Sequence, residues 1–95
     1  MKFKTFLRTI ASQSTHRQYK HAAVVAKGKA IYGFGDNSTH HAEVAALMHA
    51  GEHAEGATLY TLMVRRDGEL GNGSPCAKCM EQLALSKVKK VVVYV

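Results

Sequence analysis

Apolar positions near the start of the chain recur at helical spacing. Phe3, Phe6, Leu7 and Ile10 fall at i, i+3, i+4 and i+7, which predicts a helix over residues 2–13 with one apolar stripe and a basic opposite face. A stripe this short suits packing on a sheet better than lying on a membrane. Two apolar runs follow, residues 22–26 and 30–35, separated by Lys27-Gly28-Lys29. They read as a β-hairpin, because glycine accepts the positive φ that a tight turn demands. Residues 36–40 form a polar loop with Thr39 as a helix cap. Val44, Ala45, Leu47 and Met48 then predict a second helix that stops near Gly51.

Residues 57–64 are rich in Leu, Tyr, Thr and Val and predict a third strand, closing at Arg65-Arg66-Asp67-Gly68. Gly68, Gly71 and Gly73 make the next loop adaptable. Ser74 is placed to cap a third helix with Pro75 at its first position, where a missing N–H costs nothing. Cys76, Cys79, Met80 and Leu83 share one side of that helix, which ends around Lys87. Residues 91–95 are continuously apolar, as in a strand buried on both faces. Strands separated by helices pair in parallel through right-handed crossovers, so the third and fourth strands should be parallel neighbours in a layered α/β domain.

Candidate chemistry gathers at two places in this pattern. His41-Ala42-Glu43 opens the second helix, and Pro75-Cys76-Ala77-Lys78-Cys79 opens the third. One imidazole and two thiolates are a soft donor set, and three protein ligands leave tetrahedral zinc one open position, as in catalytic sites. Zinc lowers the pKa of bound water from about 15.7 to near 7, which supplies a nucleophile at neutral pH. The i, i+3 cysteines turn toward one ion, and a helix start helps hold them as thiolates. Cys-x-x-Cys alone also marks structural zinc sites and redox proteins, and His-x-Glu alone is weaker still. Their combination, each at a helix start and separated by a strand, favours a catalytic site.

His-x-Glu followed by Pro-Cys-x-x-Cys resembles the signature of the zinc-dependent deaminases of the cytidine deaminase-like superfamily. The resemblance covers nearly the whole chain. It implies a three-layer α/β fold, with a central mixed four-stranded sheet in the order 2-1-3-4 and the zinc-binding helices on one face. It also implies His41, Cys76 and Cys79 as ligands of Zn2+, with Glu43 as the general acid and base that takes a proton from water, delivers it to the ring nitrogen and later protonates the departing amine. Asn37 and Phe34, just upstream, are candidate substrate binders. His40 competes with His41 as ligand, but only His41 gives the His-x-Glu register. His16, His21, His49 and His53 are expected to be surface or hydrogen-bonded residues, and Tyr32 and Tyr60 core.

Ser74-Pro75-Cys76 followed by Cys79 and Gln82 resembles the cytidine-type enzymes, whereas residues 41–47 are also close to the adenosine-editing version. The expected substrate is therefore a cytosine-bearing nucleoside or nucleotide. Adenine, single-stranded nucleic acid, or a non-catalytic zinc domain binding nucleotides or protein remain alternatives at this stage.

Composition bounds these expectations. The chain has 95 residues and no run of apolar residues long enough to span a bilayer, so a single zinc-dependent deaminase domain over residues 1–95, in the cytoplasm, is expected. A body this small gains from a metal or a partner subunit. Its formal net charge of +6 attracts phosphates without choosing among their carriers. Larger relatives continue beyond the final strand, and an apolar strand left at a sheet edge invites association, so a homo-oligomer is expected.

Overall fold

The structure is a computed structural model that describes residues 3–16, 18–38 and 41–95. The expected helix start at Lys2, the Thr39 cap and His40 lie outside the described residues.

Helix α1 (Lys4–Ser12) buries Leu7, Ile10 and Ala11, the stripe its periodicity predicts, with Phe3 tucked in just before it. Strands β1 (Tyr19–Lys27) and β2 (Ala30–Asp36) form the hairpin, and Gly28 at its turn has φ 58°. Helix α2 (Ala42–Ala50) follows and tightens into a 3-10 turn, Gly51–Ala54. Strand β3 (Thr58–Arg65) leads through the two-residue strand β4 (Leu70–Gly71) to helix α3 (Ala77–Leu85) and strand β5 (Lys90–Tyr94).

One sheet runs β2-β1-β3-β5. The hairpin and the β1–β3 pair are antiparallel, and β3–β5 is parallel, as the intervening helix requires. Strand β4, which the sequence pattern left as loop, continues along the β5 side of β3, pairing Gly71 with Met63 and Leu70 with Val64. A turn makes it: Arg65 N–H donates to Glu69 O at 2.8 Å, with Gly68 at φ 89°.

The period-2 alternation of the central strands sorts two cores. Ala22, Val24, Ala26, Leu62 and Tyr94 face α1, whereas Ala23, Val25 and Leu59 face α2 and Leu83 of α3. Three layers result, with α2 and α3 together on one face. Two glycines let α2 settle on β2. A Cβ on Gly33 would lie 2.5 Å from Ala46 O and 2.6 Å from Ala50 N, and one on Gly35 would lie 2.5 Å from the Ala45 Cβ.

Two local expectations are corrected. Helix α3 begins at Ala77, two residues later than the Ser74 cap implies. The Ser74 N–H and hydroxyl both bond Asn72 Oδ1, at 3.0 and 2.6 Å, and Cys76 stays extended at φ −73°, ψ 172°, so the cap position passes to Cys76. Strand β5 is half-buried through most of its length rather than buried on both faces, because its only strand neighbour among the described residues is β3. No described helix is long and apolar enough to cross a membrane.

Candidate metal centre and catalytic pocket

Helices α2 and α3 present their N-termini to each other. His41 is the N-cap of α2, Cys76 the N-cap of α3, and Cys79 lies in the first turn of α3. His41 Nδ1 is 3.2 Å from Cys79 Sγ and 3.6 Å from Cys76 Sγ, and all three donor atoms lie within 4.8 Å of one another. Zinc bonds of 2.0–2.3 Å in tetrahedral directions separate N and S ligands by about 3.5 Å, so the trio fits that ion. Among the described residues no fourth His, Cys, Asp or Glu joins the group.

The two thiols differ. Burial pushes the Cys79 thiol up to about 12, with the adjacent Cys76 thiol and the Glu43 carboxylate adding to it. The exposed Cys76 thiol sits below its ordinary value, because the backbone N–H of Cys79 and then the Cys79 thiol favour its thiolate. That pull comes from the oriented amides of the first turn, since the Cys76 side chain makes no cap hydrogen bond of regular geometry.

Glu43 lies two residues into α2 and is only 1 % exposed. Its Oε1 is 3.7 Å from His21 Nδ1 and has no hydrogen-bond partner among the described residues. A buried carboxylate oxygen left this way is costly unless something polar completes it. Glu43, His41 and Cys76 line one hollow of ≈190 Å³, together with Tyr19, His21, Met63, Asn72 and Ser74. An apolar hollow of ≈460 Å³ flanks the trio between α2 and α3, lined by His41, Val44, Met48, Lys78, Cys79 and Gln82.

The pattern matching the chain is that of the cytidine and deoxycytidylate deaminase zinc-binding region, over residues 2–95. The chain belongs to this deaminase family. In three dimensions it is similar to RibD from Acinetobacter baumannii. For form 1 of that protein the identity is 34 %, the TM-score 0.70, and the match covers 93 % of this chain and 24 % of that one. For form 2 the identity is again 34 %, the TM-score 0.65, and the coverage 93 % and 25 %. The chain therefore spans about a quarter of the length of those structures. No curated protein matches it significantly. Family membership and the donor trio together make this a zinc-binding deaminase domain.

Of the residues singled out from the sequence, His41, Cys76, Cys79 and Glu43 come together. Asn37 and Phe34 do not line either hollow beside the trio. Asn37 Oδ1 accepts from Ser14 Oγ and from the His21 N–H, and its amide donates to Tyr19 O, so it ties the loop before α2 to the start of β1. Phe34 packs its ring against Phe6 and His49, on the flank of the sheet. His16, His49 and His53 are hydrogen-bonded or stacked elsewhere, as expected.

His21 is hydrogen-bonded, as expected, but its place beside Glu43 is what the sequence did not show. Its Nε2 lies 2.5 Å from Thr61 Oγ1, and the Thr61 hydroxyl also lies 3.1 Å from Ala22 O. This contact turns the other ring nitrogen, Nδ1, toward Glu43 Oε1, 3.7 Å away. Burial lowers the His21 pKa, outweighing the opposing pull of the Glu43 carboxylate. Parity alone puts His21 on the same face of β1 as Ala23 and Val25 without saying that Glu43 lies there.

Proposed function

We propose that this chain is a single deaminase domain that hydrolyses the exocyclic amine of a cytosine base, carried by a nucleoside or nucleotide, to give the uracil base and ammonia. Glu43 carries this proposal: a closed structural zinc site has no use for a buried carboxylate that lines a hollow beside the ligands and whose Oε1 has no hydrogen-bond partner among the described residues. His41, Cys76 and Cys79 would hold the zinc ion, which when bound makes water ionisable near neutral pH.

The remaining steps belong to the chain. Glu43 accepts a proton from the attacking water and delivers it to the ring nitrogen, then takes the second proton from the hydroxyl now on the ring carbon and gives it to the leaving amine as the C–N bond breaks. His21 faces Glu43 from the opposite wall with its ring locked by Thr61, restricting where the carboxylate can turn. The hollow lined by Glu43, His41 and Cys76 is where the base would meet the carboxylate.

The test is ammonia release by the zinc-loaded protein from cytidine, deoxycytidine, their monophosphates, adenosine, and single-stranded DNA and RNA. Turnover of the cytosine compounds supports the proposal. Turnover of adenosine alone reassigns the base, and no turnover with zinc bound returns the domain to a non-catalytic role. We place the protein in the cytoplasm, where thiols stay reduced. We also propose a homo-oligomer that covers β5, and a light-scattering mass of one 10.4 kDa chain at micromolar concentration would refute it.

A further inference from the structure

The hollow beside Glu43 continues past its own rim. Tyr19 and Met63 line it, and the same two side chains line a neighbouring groove of ≈450 Å³ that also includes Arg65, Arg66 and Asp67. A recess of ≈130 Å³ joins Lys20 and His16 to the same arginines. Strand register explains the continuity. His21 lies opposite Met63, and Tyr19 opposite Arg65, so Arg65 stands one same-face step, about 7 Å, outward from the pair that contains the imidazole touching Glu43.

Gly71 keeps this path open. A Cβ there would fall 2.5 Å from Met63 Cε and 2.9 Å from Arg65 Cγ, so the stems of both side chains lie close over the β4 backbone. The charge of the groove is positive. Asp67 takes Arg65 Nη2 at 3.1 Å, but a guanidinium has further donors, and Lys20 and Arg66 make no ion pair among the described residues. Tyr19, 41 % exposed, stands between the carboxylate and the arginines.

We propose that the Arg65–Arg66 groove is a subsite for the 5′-phosphate of a mononucleotide substrate, with the base at Glu43 and the sugar against Tyr19. This rests on the deaminase function proposed above and narrows it to a nucleoside monophosphate. Two guanidinium groups around one phosphate provide charge-assisted hydrogen bonds that a nucleoside cannot use. The +6 charge of the whole chain steers any anion, whereas the groove selects the one linked to a base.

The experiment compares kcat/KM for dCMP and deoxycytidine in the zinc-loaded wild type, Arg65→Gln/Arg66→Gln, Arg66→Gln alone, and Lys29→Gln/Lys89→Gln as a charge-matched control. The wild type should prefer dCMP by about tenfold or more, the double arginine variant should lose most of that ratio, and the control should keep it. Equal use of the two substrates by the wild type, or a ratio that survives in the double variant, overturns the subsite. A short single-stranded oligodeoxynucleotide with one cytosine is run alongside. If its turnover alone depends on the arginines, the phosphate is a backbone phosphodiester and the mononucleotide assignment is overturned.

Titration of inorganic phosphate into the zinc-loaded protein, followed by backbone amide shifts at Lys20, Arg65 and Arg66, separates the two proposals. Shifts that vanish in the double variant support the subsite even if no cytosine compound is deaminated, in which case the deaminase function alone fails. Unmoved amides together with equal turnover of dCMP and deoxycytidine overturn the subsite and leave the deaminase standing.

Discussion

His21 Nε2 is fixed to Thr61 Oγ1, and this one bond aims the other ring nitrogen at Glu43. Thr61 is fully buried and its hydroxyl is shared between His21 and Ala22 O, so an isosteric apolar side chain would remove the partner of His21 Nε2. Thr61→Val should destabilise the domain by about 1–3 kcal/mol. Urea unfolding of the two proteins measures this, and a loss of turnover larger than the loss of stability explains would report the freed ring of His21.

Glu43→Gln should retain zinc and lose turnover by roughly two to four orders of magnitude, the contribution of a positioned acid and base. Metal analysis beside ammonia release checks both halves. Because Glu43 Oε1 has no hydrogen-bond partner among the described residues, the variant should be no less stable than the wild type. A clear drop in its unfolding midpoint would mean that the carboxylate serves the structure.

Zinc affinity should rise with pH. The Cys79 thiol, at about 12, binds a proton throughout the neutral range in the metal-free protein, and that proton must leave when the thiolate ligates. Proton release on binding means tighter binding as pH increases. Calorimetric titration of zinc in two buffers of different ionisation enthalpy should count at least about one proton released. The same linkage predicts that a chelator lowers the melting temperature, as expected of any ligand that binds only the folded state.

Gly33→Ala and Gly35→Ala should both be destabilising by about 1–3 kcal/mol, since the added methyl overlaps the α2 backbone or the Ala45 side chain at 2.5 Å. Helix α2 also carries Glu43 and follows its His41 cap, so zinc affinity should fall with stability. Thermal melts with and without added zinc distinguish a displaced α2 from a merely weaker fold.

Periodicity alone made the element order legible, along with both members of the hairpin and the parallel pairing of the third and last strands, because burial of one face imposes a period that the chain must spell out. The donor set was legible for a different reason. Zinc needs particular side chains, and His41, Cys76 and Cys79 announce themselves by type and spacing. The start of α3 was less so: Ser74 looks like a cap until Asn72 takes its hydroxyl.

Only the tertiary structure decided what His21, Arg65 and Asn37 do. Alternation tells that His21 shares a face with Ala23 and Val25, but both faces of this sheet are covered by helices, so parity cannot say which face holds Glu43. Antiparallel register then places Tyr19 against Arg65, and His21 against Met63, across an interval of more than forty residues in the chain. The chain's own order thus determines its helices, strands and metal donors through local period and side-chain chemistry. The neighbours of Glu43 depend on strand pairing, which joins residues that no local pattern connects.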